Sequence, residues 1–146
     1  MKISKILTVG IVATSFMTSY SYVLAQIKDE HFTEPLILSE LLHRLLPTIK
    51  KRYSIIVGWH MHYFVGLLFA AIYIYLWYNR GIRPSYKNGL VLGGVSGAIA
   101  IAVWRAVLRM HPNPPNIKLH RYFGQLFIAH LVFGVAATLG YNDNQA

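Results

Sequence analysis

The chain contains no cysteine. Disulfides, thiolate metal sites and cysteine nucleophiles are excluded, and thiol usage says nothing about compartment. Charge is scarce too. Asp, Glu, Lys and Arg make up 13% of the 146 residues, and only five are acidic, whereas an ordinary soluble domain is about a quarter charged. Hydrophobic residues reach 55% and mean hydropathy is +0.41. A water-soluble globule is therefore excluded, and an integral membrane protein is expected. The net charge of +9 does not indicate nucleic acid as a partner. Lys and Arg stand in short clusters beside apolar runs, where the headgroups of membrane lipids are the better partners.

What the chain has in abundance is long apolar runs. From Tyr53 to Tyr78 there is no acid, Lys or Arg, a length above the roughly 20 residues a helix needs to cross a bilayer. Similar runs predict spans at about 6–25, 54–78, 89–109 and 121–141. Between the first two, Glu34-Pro35 opens a helical pattern at 35–46 in which Leu36, Leu38, Leu41, Leu42, Leu45 and Leu46 are interrupted by Glu40, His43 and Arg44. It is too short to span and mixed in polarity, so it reads as an amphipathic helix lying in the interface. The expected fold is all-α, one transmembrane domain over residues 1–146, with four spanning helices in a bundle and one short interfacial helix. Residues 1–25 also have the form of a secretory signal, with Lys2, Lys5, an apolar run and Val23-Leu-Ala25 before Gln26. The hydroxyls of Thr8, Thr14, Ser15, Thr18, Ser19 and Ser21 suit a helix packed among others, and a retained first span is the reading adopted.

Alternating spans collect the ionisable residues. His31, His43, His111 and His120 fall in connections on one face, and His60, His62 and His130 lie in the half of the bundle that opens there, with Arg105 and Gln125. The positive-inside rule favours the opposite face, where the chain begins, as cytoplasmic. At about 1.5 Å per residue, His62 is roughly 10 Å into its helix and His130 roughly 13 Å. Imidazoles so deep should face the bundle interior. Both are followed one turn later by glycine, Gly66 and Gly134. The expected pocket is built on His62 and His130 and lined by His60, Gly66, Arg105, Gln125 and Gly134. His60 and His62 are about 200° apart on a helix, which removes a compact three-histidine site. Gly89, Gly93 and Gly97 form a helix-packing row, against neighbours in the chain or against a second copy in a homo-oligomer.

At Gly58-Trp59, Met61-His62, Gly66 and His130-Leu-Val-Phe-Gly134, the chain resembles a loose group of small bacterial inner-membrane proteins of unknown function. The likeness extends to Ala13-Thr14, Met17-Thr18 and the glycine-rich third span, while His60 stands where the group usually has an aliphatic residue. The resemblance implies four spans and an inner-membrane location, and no activity.

Three classes of function remain open. The first is a non-enzymatic bundle with a histidine-containing polar pocket, acting through partners or lipids. The second is a bound haem b or divalent metal held by His62 and His130, since neutral imidazole is a common metal ligand. The third is an oligomeric transporter or proton relay with His62, His130, Arg105 and Gln125 along a wet cavity. Membrane enzyme chemistry with His62 as general base is the remaining alternative. No nucleophile with an adjacent base is present, and the spans carry no carboxylate.

Overall fold

The computed structural model describes residues 3–28, 30 and 33–142. His31 lies outside them. Five helices follow in order: α1 Ile3–Lys28, α2 Glu34–Leu45, α3 Lys51–Asn79, α4 Tyr86–Met110 and α5 Leu119–Asn142. Four are long and apolar enough to cross a membrane, and α2 is the short one between the first two. This is the all-α architecture expected, with helix ends a few residues beyond the apolar runs because flanking polar residues continue the hydrogen-bonded spiral.

The boundaries follow local chemistry. Pro35 sits in the first turn of α2, where its missing N–H costs nothing. Gly81, at φ +67°, stops α3 in a left-handed conformation that other residues adopt reluctantly. Ser85 caps α4 by accepting the Asn88 amide on its hydroxyl at 3.4 Å. Pro112, Pro114 and Pro115 then keep the α4–α5 connection extended.

The helices are not arranged as a closed ring. α4 packs along α5, α5 along α1, and α1 along α3, while α2 lies on α3. The consecutive helices α3 and α4 approach each other closely at few points, although a buried hydrogen bond between the Tyr73 and Ser96 hydroxyls, 2.8 Å long, joins them. α5 is the centre: 61% of its span is buried, against 22% for α3 and for α4. Glycine sets the close approaches. A Cβ on Gly93 would lie 2.5 Å from the His130 carbonyl oxygen, and one on Gly58 would lie 2.5 Å from that of Pro35. The α4 and α2 backbones therefore reach α5 and α3 directly.

The glycine row of α4 is thus used within the chain. Gly89, Gly93 and Gly97 are buried against Gly134, Thr138, His130, Leu131 and Phe127 of α5.

At one end, Lys5 lies over the Tyr141 ring at 3.6 Å, beside Trp77 and Tyr73. The other end is tied by polar bonds. His111 Nε2–H donates to the Leu41 carbonyl at 3.0 Å, Arg44 donates to the Pro114 carbonyl at 3.2 Å, and Lys118 and Arg121 both bond Glu30, at 2.9 and 2.8 Å. These bonds fix α2 and the α4–α5 connection at the same end of the molecule.

Candidate functional site

On the α2 side of the Tyr73–Ser96 hydrogen bond, a cavity of about 320 Å³ remains between α3 and α4, floored by α1 and α5 and closed at one end by α2. His62, Gly66 and Phe69 of α3, His130 of α5, Thr14 and Met17 of α1 and Glu34 of α2 all line it. Most of the remaining wall is aliphatic or aromatic. Met61, Val65, Ile99 and Val103, at its edges, are exposed on the outer surface of α3 and α4. The mouth is therefore apolar and lateral.

The hydrogen bonds of the two imidazoles define their tautomers. Thr18 donates its one hydroxyl hydrogen to the Thr14 carbonyl at 2.6 Å, one turn back on α1, so its oxygen can only accept from His62 Nε2, 2.8 Å away. His62 therefore carries its proton on Nε2 and a lone pair on Nδ1. His130 Nδ1 lies 2.9 Å from the Leu126 carbonyl oxygen, which cannot donate, so His130 is protonated on Nδ1 with a lone pair on Nε2. Neither lone-pair nitrogen has a protein hydrogen bond among the described residues. Phe69 packs edge-on against the His130 ring at 5.7 Å, and Trp59 edge-on against His62 at 6.5 Å. Both rings are held, and each has an acceptor left over.

Of the expected lining residues, the structure brings together His62, His130 and Gly66, whose Cα packs against the Thr14 side chain. Four others lie elsewhere. His60 is exposed, its Nδ1–H donating to the Ile56 carbonyl at 2.7 Å. It lies on the far side of α3 because two residues turn a helix through about 200°. Arg105 is also exposed, its guanidinium 5.8 Å from the Phe123 ring. The charge stays outside the apolar wall, as desolvation requires. Gly134 lies under Gly89 at the α4–α5 contact and not on the cavity. Gln125 is buried one layer behind, bonded to Ser21 at 2.8 Å.

The residue that sequence reasoning missed is Glu34. It is 2% exposed and lines the cavity. Ser21 and Gln125 donate to its Oε1 over long distances of 3.3 and 3.4 Å, and its Oε2 has no hydrogen-bond partner among the described residues. Burial raises its pKa to about 7, only partly offset by the bonds it accepts from its own amide, Ser21 and Gln125. Glu30 and Glu40, in contrast, are held below the ordinary range by hydrogen bonds from Lys118 and from Arg44 respectively. The signal available in sequence was its position: an acid at the first helical residue of α2, next to a proline that turns that end into the bundle.

The polar groups do not form a compact cage. Among the described residues no cluster of three His, Asp or Glu side chains is close enough to hold a metal ion. Among the described residues no Lys or Arg lines the cavity to receive the carboxylates of a haem. No family model, curated protein or solved structure matches the chain.

Proposed function

We propose that this chain is a multi-pass protein of a bacterial inner membrane, similar in plan to the small four-span group it resembles, and that it holds a lipid-soluble molecule and performs no catalysis. One observation carries the reading: two buried imidazoles, each fixed in one neutral tautomer, leave an unused acceptor nitrogen on one laterally open, apolar cavity. Its volume falls at the lower end of small-molecule sites, about 300–1,000 Å³. Buried polar atoms mostly find a partner, and a ligand donor would supply the one these two nitrogens lack. Nucleophilic catalysis would need a nucleophile hydrogen-bonded to a base, and no such pair lines the cavity among the described residues.

Haem is the second reading, favoured by the same two lone pairs and opposed by the absence of basic side chains for its carboxylates. The separating experiment is purification in native lipid nanodiscs, with a visible spectrum and mass spectrometry of the organic extract, for wild type and a His62→Ala/His130→Ala variant. The expected result is a colourless protein with one apolar compound in near-stoichiometric amount, depleted in the variant. A Soret band lost in the variant would replace this reading with haem. An identical extract from both proteins would leave no ligand for the cavity.

A further inference from the structure

The cavity also carries a charge-bearing group that no described residue balances. Among the described residues, Glu34 is the one carboxylate on its wall, no Lys or Arg lines it, and Oε2 lacks a partner. Burying an ionised carboxylate costs several kcal/mol unless it is paired. The imidazoles add lone pairs, not positive charge. The donors present are neutral and few, the Thr14 hydroxyl and the Trp104 indole. A bare metal cation is a poor match, because His62, His130 and Glu34 are not gathered tightly enough to coordinate one. Acceptors spread along an apolar slot suit an extended organic cation whose N–H group meets the carboxylate and whose hydrocarbon lies between α3 and α4.

We infer that the occupant is a lipophilic amine, its ammonium group paired with Glu34 and its apolar body passing the acceptor nitrogens of His62 and His130 towards the lateral mouth. The inference rests on the proposal that the cavity holds a ligand at all. Besides Glu34, the titratable groups around the site are the two imidazoles and Tyr122 of α5, which is fully buried and interacts electrostatically with Glu34. An anionic amphiphile would meet an uncompensated carboxylate. A neutral alcohol could use the imidazoles and would gain nothing from Glu34.

The test uses the full chain in nanodiscs and three probes of one shape: 4-phenylbutylamine, 4-phenylbutanol and 4-phenylbutyrate. Binding is measured by equilibrium dialysis, with empty nanodiscs subtracted. The amine should bind saturably at pH 8 and weaken about tenfold per pH unit below pH 7, as the ionised fraction of Glu34 falls. Glu34→Gln should reduce amine affinity at least tenfold and leave the alcohol unchanged. Glu34→Asp should retain the pH dependence, which keeps the test valid should the amide variant fold poorly. If amine and alcohol bind alike and both ignore Glu34→Gln, the ammonium assignment fails while the ligand cavity stands. If none of the three binds saturably, both proposals fall.

Discussion

Thr18 Oγ1 lies 2.8 Å from His62 Nε2 and hands its own hydrogen to the Thr14 carbonyl, so a hydroxyl on α1 dictates which nitrogen of an α3 imidazole is protonated. Thr18→Val keeps the shape and removes the acceptor. It strands a buried N–H, which should cost about 1–3 kcal/mol, whereas Thr18→Ser should cost little. Thermal unfolding in detergent measures the difference. Nitrogen-15 spectra of labelled histidine should show His62 losing its single tautomer in the valine variant. Equal stability of the valine and serine variants, with an unchanged spectrum, would remove Thr18 from this role.

Gly93 and Gly94 are neighbours on α4 with opposite tolerance. A methyl on Gly93 would meet the His130 carbonyl at 2.5 Å and the Leu131 Cα at 2.9 Å, both backbone, whereas one on Gly94 meets only side-chain atoms at 3.8 Å. Gly93→Ala must push α4 away from α5, an overpacking cost of about 1–3 kcal/mol, and shifts the backbone that carries His130. Gly94→Ala should be neutral or gain up to about 1 kcal/mol from helix propensity. Melting temperatures of the two variants decide this. A Gly93→Ala protein as stable as its Gly94→Ala neighbour would mean that the α4–α5 seam is looser than the glycines imply.

The spans were legible because their signal is local: apolar length above the bilayer thickness, bounded by Pro112, Gly81 and clustered cations. His62 and His130 were legible too, since an imidazole deep in an apolar run must turn inward. The order in which the helices pack was not. Alternation alone places consecutive spans side by side, yet the glycine row of α4 seats it on α5, and α3 seats on α1 through Gly10 and Gly66, leaving α3 and α4 open to each other on the α2 side of their Tyr73–Ser96 bond. That single departure creates the cavity mouth. It also explains Gly134, whose motif partner Gly66 lines the cavity while Gly134 is taken up by Gly89. Glu34 was hidden because its polarity marks it as a surface residue, and only the docking of α2 across the end of α1 and α5 buries it.

His60 and Arg105 provide a control for this geometry. Both are exposed, so His60→Leu and Arg105→Leu should change stability by no more than about 0.5 kcal/mol. His62→Leu should destabilise more, because it removes the donor to Thr18 and the edge-on ring contacts with Trp59 and Tyr63. A ligand-retention assay in nanodiscs adds a second readout. The His60 and Arg105 variants should keep the apolar compound, and the His62 variant should lose it. Loss of ligand on changing His60 would mean that α3 is rotated relative to the arrangement described.

Glu34 makes stability depend on pH with a definite sign. Its folded pKa of about 7 lies above its ordinary value of 4.5, so the folded protein binds the proton more tightly than the unfolded chain does. The stabilisation from that proton is full below about pH 4.5, declines as pH rises, and is gone above about pH 7. The separation corresponds to roughly 3 kcal/mol at about 1.4 kcal/mol per unit. Glu34→Gln mimics the protonated acid at every pH. Without ligand it should match wild type near pH 5 and exceed it near pH 8, flattening the melting-temperature profile between them. Bound amine should reverse the ranking at pH 8, since the ammonium then stabilises the ionised carboxylate that the glutamine cannot supply. Parallel profiles for the two proteins, with and without amine, would show that Glu34 exchanges neither proton nor counter-ion on folding, and its burial would then have no bearing on what the cavity holds.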